Sequence, residues 1–393
     1  MNKIEKLLKE LCPNGVEFKS LGEVCEVVKG QQLNKNLLLE NGLYPVMNGG
    51  INPSGYWDTY NKNAQTIIIS QGGASAGYVN FMQTPFWAGA HCYTIEKIVE
   101  FLNYKFIYYF LKNNQNNLIK LQYGAGIPAL NKIDIQTLQI PIPPLEVQEE
   151  IVKILDTFTK LEAELEAELE ARRRQYEYYR NKLLSFEYLD KNGGGYELKM
   201  LGEVGNFTRG SGLQKKDLLD FGIPCIHYGQ IHTYYNNYTY TTKSFVDFES
   251  AKKLKKAKKG DLIIAGASEN IEDICKAIVY LGENNVCISG DSFAFSHSLN
   301  PKYVGYVFQS ERFIEYKKKY AQGTKVMRLS IERLKQFQIP IPPLATQEKI
   351  VSILDKFHTL TTDLQSGIPA EIKARKKQYE YYRNKLLTFK EAI

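Results

Sequence analysis

Two residue patterns in this chain could do chemistry with an anion. Behind the apolar run Ile67-Ile68-Ile69, the stretch Gln71-Gly72-Gly73-Ala74-Ser75-Ala76-Gly77-Tyr78 could bring backbone amides close to a phosphate. It lacks the lysine and the spacing of a nucleotide P-loop, and a hairpin turn accounts for its glycines equally well. The second pattern is cationic: Lys252, Lys253, Lys255, Lys256, Lys258 and Lys259 form one dense run, and Lys317, Lys318 and Lys319 another. Such runs fit a solvated helix face; beside a polyanion, each lysine would displace condensed counterions. Metal chemistry is disfavoured. Cys12, Cys25, Cys92, Cys225, Cys275 and Cys287 are scattered singly with no C-x-x-C pair, and the spacing of His227 and His232 suits neither one helix face nor a ligand motif. No metal site is expected, and the thiols are expected to be reduced and packed.

The elements that must position these residues are duplicated. Gln-Tyr-Glu-Tyr-Tyr-Arg-Asn-Lys-Leu-Leu occurs at 175–184 and again at 378–387, and Gln-Ile-Pro-Ile-Pro-Pro-Leu at 139–145 and 338–344. The run from Ile151 to Asp156 answers that from Ile350 to Asp355, and Glu17 to Val24 resembles Glu197 to Val204. Lys6-Leu7-Leu8 matches the Lys-Leu-Leu that closes both long repeats, so the chain starts partway through a helical unit and the arrangement is cyclic. Residues 30–130 and 210–325, by contrast, share little beyond scattered glycines and a strand-like core. Near-identical surfaces suit two copies of one partner. Divergent ones suit two different ligands.

A chain of 393 residues, 44% hydrophobic and 24% charged, has the composition of an ordinary globular protein of two or three domains. A net charge of +7 permits nucleic-acid binding without requiring it. No apolar run approaches the roughly eighteen residues of a membrane span, and the first residues are charged where a signal peptide would be apolar; a cytoplasmic protein without membrane contact is expected. Pro141, Pro143 and Pro144 exclude an interior strand and lead into a helix. From Glu146 to Phe186 nothing breaks the helical period of Ile151, Leu155, Phe158, Leu161, Leu165 and Leu169, which predicts one helix of about forty residues, near 60 Å. The second copy contains Gly367 and Pro369, which should kink or break it. Two such amphipathic helices pack most simply antiparallel.

Two variable regions alternating with two helical repeats, each introduced by Ile-Pro-Ile-Pro-Pro-Leu-x-x-Gln-Glu, resemble the specificity subunit of type I restriction-modification systems over essentially the whole chain. The resemblance implies an α+β fold: two globular target recognition domains separated by two long antiparallel helices, with an internal pseudo-two-fold, cyclic repeat. The corresponding segments are an N-terminal helical piece at 1–20, a first recognition domain at 21–138, a central helix at 139–190, a second recognition domain at 191–337 and a C-terminal helix at 338–393. It further implies that each recognition domain reads one half of a bipartite, asymmetric double-stranded DNA site, and that the helices separate the domains and dock two copies of a methyltransferase subunit. A motor-nuclease restriction subunit completes such a complex. S-adenosylmethionine would then belong to the methyltransferase and ATP and Mg to the motor-nuclease, with no cofactor in this chain. Three tetrapeptides, Leu161-Glu-Ala-Glu, Leu165-Glu-Ala-Glu and Leu169-Glu-Ala-Arg, are similar to repeats that set the unread gap in some members of the family.

Base reading needs paired donors and acceptors on turns or helices that enter a groove. In the first variable region the candidates are Gln31, Gln32, Lys35, Asn48, Tyr56, Gln71, Ser75 and Tyr78. In the second they are Arg209, Gln214, Lys215, His227, Tyr228, Gln230, His232, Ser268, Glu269 and Asn270. Tyr176, Tyr178, Tyr179 and Arg180, repeated as Tyr379, Tyr381, Tyr382 and Arg383, are types enriched at interfaces and are candidates for docking the methyltransferase; packing between the helices explains them equally well. Neither the cofactor-binding glycines nor the Asn- or Asp-Pro-Pro-aromatic motif of an adenine methyltransferase is present, nor a Walker A lysine, so the chain is expected to have no catalytic residues. A specificity subunit of another methyltransferase-linked defence system, or a coiled-coil scaffold that binds no nucleic acid, are the alternatives.

Overall fold

The computed structural model describes residues 3–124, 126–363 and 366–392. The chain divides into two compact units, one made of Met1–Glu166 with Glu371–Ile393 and the other of Ala167–Ala370.

In the first unit, a four-stranded antiparallel sheet runs in the order Glu26–Lys29, Cys92–Glu96, Thr66–Ser70, Val79–Met82. Ile67, Ile69, Val79 and Ile95 bury one face against the helix Tyr104–Asn113, which contributes Phe106, Ile107, Phe110 and Leu111. Asn103 starts that helix by accepting the Lys105 and Phe106 amides, which would otherwise lack partners. A smaller sheet sets Tyr44–Met47 antiparallel to Gly55–Trp57 and parallel to Trp87–Ala88. The second unit repeats the plan with larger sheets. Its central strand Leu262–Ala265 lies between Ser292–His297 and Ala277–Tyr280, and Ile223–Ile226 lies between Ser244–Val246 and Val286–Ile288.

The proline motif has a definite place in both units. Gln139–Ile142 pairs antiparallel with Glu17–Ser20, and Gln338–Ile341 with Glu197–Met200. Each ribbon has only two strands, so every strand in it is an edge and tolerates proline. The glutamine four residues after the last proline is buried and bonded at both ends. Gln148 accepts the Asn103 amide at 2.8 Å and donates to the Pro143 carbonyl at 2.7 Å; Gln347 does the same with Asn300 at 3.0 Å and Pro342 at 2.9 Å. About two turns further along the helix, Asp156 accepts Lys105 Nζ and the Tyr109 hydroxyl, both at 2.6 Å. Asp355 accepts Lys302 Nζ at 2.6 Å and the Tyr306 hydroxyl at 2.5 Å. Each globular region is thus fastened to its helical repeat by the same polar latch.

The first helical repeat is unbroken over Leu145–Leu183, 39 residues. The second is two helices, Leu344–Thr362 and Ile368–Leu386, of 19 residues each. Pro369 stands at the second position of the new helix, where a missing N–H costs nothing. At Gly367 the chain passes so close to the end of the first helix that a Cβ would meet the Thr359 carbonyl oxygen at 2.5 Å. Within the first unit the packing is antiparallel: Phe158 stacks on Tyr382 at 5.6 Å, while further along the same helix Glu162 and Glu166 meet Lys376 at 3.2 and 2.9 Å. In the second unit Phe357, the repeat equivalent of Phe158, stacks on Tyr179 at 5.5 Å.

The cyclic organisation read from the sequence is physical. Ile4 shares the first unit's core with Leu386 and Leu387, and Val16 and Lys390 close a 2.8 Å backbone hydrogen bond.

Candidate nucleic-acid interface

Two adjoining hollows open on one loop edge of the second unit. The first, about 530 Å³, is lined by Arg209 to Lys215, His227, Tyr228 and Ser289 to Asp291. The other, about 400 Å³, is lined by Tyr228, Gly229, His232, Thr233, Ala267 to Asn270, Asp273 and Val326. Tyr228 forms the wall between them. Nine of the ten candidates in this region therefore converge, although the sequence separates Arg209 from Asn270 by a full set of strands. They converge because each follows the same end of a strand: Arg209 ends Gly205–Arg209, His227 follows Ile223–Ile226, and Gly266 follows Leu262–Ala265. Gly210 crosses over Ser289 so closely that a Cβ would lie 2.1 Å from the Ser289 carbonyl oxygen; only glycine permits that crossing.

Gln230 is the exception. Its carbonyl oxygen accepts the His227 amide at 3.2 Å and its amide donates to Ser244 Oγ at 2.7 Å, so both of its functions are committed to the fold. His227 Nδ1 caps the helix Tyr228–Thr233 by accepting the Gly229 amide, and burial pushes its pKa down. Lys317, read in the sequence as part of a solvated run, is buried and donates to the Glu272 and Ile274 carbonyls. Lys252 and Lys259 are paired with Glu249 and Glu283.

In the first unit the same edge carries different side chains. Gly30 makes the equivalent crossing, with its Cβ position 2.1 Å from the Gly89 carbonyl oxygen, and Gln31 and Gln32 follow it. Asn48 Oδ1 accepts the His91 amide at 3.2 Å and the Gln71 amide donates to the His91 carbonyl at 2.8 Å, so Asn48, Gln71 and His91 are neighbours. Gln71 Oε1 is buried with no hydrogen-bond partner among the described residues. Among the described residues no hydrogen bond or ion pair joins Lys35, Tyr56, Ser75 or Tyr78 to this group. Lys35 opens a 3-10 turn (Lys35–Leu37) and Tyr56 lies in a strand opposite Pro45. Tyr78 packs its ring under the Lys112 ammonium at 3.9 Å. The glycine-rich stretch is a turn, not an open anion cradle: Gly73 donates to Pro128, Ala76 to Gly73, Gly77 to Ser70 and Tyr78 to Ser75. His91 and its counterpart Asp291 escaped sequence reading. The available signal was a polar residue between a glycine turn and a strand, at Gly89-Ala90-His91 and Gly290-Asp291.

A family model described as the type I restriction modification DNA specificity domain matches residues 13–171 and again 194–374. The chain belongs to this family. A putative type I restriction enzyme specificity subunit of Haemophilus influenzae is 32% identical over 399 residues, covering 98% of both chains. The EcoR124I/EcoR124II specificity subunit of Escherichia coli is 32% identical over 299 residues, 72% of this chain and 70% of that one. The crystal structure of the type I restriction-modification S subunit from M. genitalium shares the fold, with a TM-score of 0.58 at 21% identity over 95% of this chain and 96% of the other. A chain from a study of complex assembly and conformational transition in the type I system gives 0.63 at 16% identity, covering 95% and 98%.

In this specificity-subunit fold, most of the duplicated tyrosines and arginines serve internal packing. Tyr176 is 9% exposed and donates to Gln309 at 3.1 Å, with Arg180 over its ring. Tyr179 and Tyr382 stack on the two phenylalanines, Tyr379 also lies against Phe158, and Arg383 donates to Asn113 at 3.0 Å. Tyr178 and Tyr381 differ: they are 59% and 62% exposed. Among the described residues no group of three His, Cys, Asp or Glu could hold a metal, and no helix is long and apolar enough to cross a membrane.

Proposed function

We propose that this specificity subunit reads a split DNA site, its first globular region recognising one half and its second the other, and that it directs a partner methyltransferase to adenines within that site. The observation that carries the reading is one loop edge built twice on the same framework with unlike side chains: Gln31, Gln32, Asn48, Gln71 and His91 in one unit, Arg209, Gln214, Lys215, His227 and Glu269 in the other. Equal frameworks give equal docking to a duplex. Unlike side chains give unlike bases. The exposed, sequence-identical Tyr178 and Tyr381 support two copies of one methyltransferase, each docking on one helical repeat. S-adenosylmethionine belongs to that partner, and ATP and Mg to a motor-nuclease; this chain contributes recognition and no catalytic group. The test is coexpression with the cognate methyltransferase and mapping of methylated adenines. One split motif with two different halves is expected, and an unbroken motif refutes the reading.

A further inference from the structure

The loop from Ser268 to Cys275 closes one side of the second hollow and is braced by hydrogen bonds within the fold. Ser268 Oγ accepts the Asn270 amide at 3.3 Å. Asn270 donates to Asp273 Oδ2 at 2.9 Å and accepts the Asp273 amide at 2.7 Å, which fixes its side chain within the loop. Lys317 holds the Glu272 and Ile274 carbonyls from beneath, and Lys276 is tied to the His232 carbonyl at 3.0 Å. His232 Nε2 lies 3.1 Å from the Ala267 carbonyl oxygen. Glu269 is exposed at the hollow, and among the described residues its carboxylate has no hydrogen bond or ion pair; the Glu272 carboxylate is likewise unpaired but does not line this hollow.

An unpaired carboxylate on a face that meets phosphates is repelled unless it finds a donor. A carboxylate only accepts, and in the major groove the donors are the exocyclic amines of cytosine and adenine. Adenine presents N7, an acceptor, beside its amine, which repels the second carboxylate oxygen; cytosine presents none there. We infer that Glu269 is a specificity-determining residue that accepts a hydrogen bond from the N4 amine of a cytosine in the half-site read by the second unit. The inference rests on the split-site reading above. The braced loop makes it effective, because a pre-ordered acceptor loses little entropy on binding.

The experiment uses the whole complex, with wild type, Glu269→Gln and Glu269→Ala, mapping methylated adenines and measuring methylation of duplexes varied at each position. The wild-type motif should contain a C·G pair in one half that both variants cease to demand, with discrimination falling about 5- to 150-fold. Glu269→Gln should in addition accept adenine there, since an amide matches its N6 and N7 edge. The other half should not change, nor should the melting temperature. Variants that keep the wild-type motif overturn the inference while leaving the split-site reading intact, and so does a loss of methylation equal at all positions. A wild-type complex that marks an unbroken motif overturns both.

Discussion

Tyr306→Phe tests the latch that joins a globular region to its helical repeat. Tyr306 is 2% exposed and gives its hydroxyl proton to Asp355 at 2.5 Å, while Lys302 holds the other carboxylate oxygen at 2.6 Å. The substitution keeps the ring and removes one hydrogen bond to a charged acceptor, which contributes about 1.5–3 kcal/mol. Asp355 keeps Lys302 and some solvent, so the lower part of that range applies, about 1.5–2 kcal/mol. For a cooperative unit of this size that is a fall of about 3–8 °C in Tm. Acidity adds a second signature. Burial first, then Asp355, holds the Tyr306 hydroxyl well above its ordinary pKa. Below about pH 10 folded and unfolded chains are both protonated, and the bond's full contribution is present. Above it only the unfolded chain ionises, so stability falls by about 1.4 kcal/mol per pH unit for this group. Urea unfolding of wild type and Tyr306→Phe at pH 8 and pH 10.5 should show a gap that narrows at the higher pH. Equal stability at pH 8, or a gap indifferent to pH, refutes the reasoning.

Three further outcomes follow from the same geometry. Tyr381→Ala should weaken methyltransferase binding at least about tenfold while moving stability by no more than about 0.5 kcal/mol; Tyr379→Ala, whose ring packs on Phe158, should cost about 2–4 kcal/mol in urea unfolding. Lys215→Ala should weaken binding to all duplexes alike and reduce the slope of log affinity against log salt by about 1 in a fluorescence titration. Deleting Leu165 to Glu168 removes about 6 Å and a net rotation near 40° from the long helix, close to the rotation per base pair, and methylation mapping should show a shorter unread gap with both half-sites unchanged.

Much of this architecture was legible because duplication and proline chemistry are local signals. The doubled Ile-Pro-Ile-Pro-Pro-Leu motif marked where both helical repeats begin, and Gly367 with Pro369 marked the interruption found between Thr362 and Ile368; that the motif itself pairs as an edge strand was not read. What could not be read depends on partners far away in sequence. Gln230 looked as free as Gln214 until Ser244 was found against it, and Lys317 looked solvated until the Glu272 and Ile274 carbonyls closed over it. The identical tyrosines of the two repeats illustrate the same point. Residue type gave no means of separating Tyr176, which bonds Gln309, from Tyr178, which faces solvent.

The claim on which the rest depends is that one chain carries two unlike readers on a repeated frame. Sequencing of methylated adenines in DNA exposed to the complex tests it most directly. The account predicts a single split motif whose two halves differ, with Lys215 and Glu269 variants affecting recognition through one half only for Glu269 and through overall affinity for Lys215. A contiguous motif, or two halves of identical sequence, would contradict it.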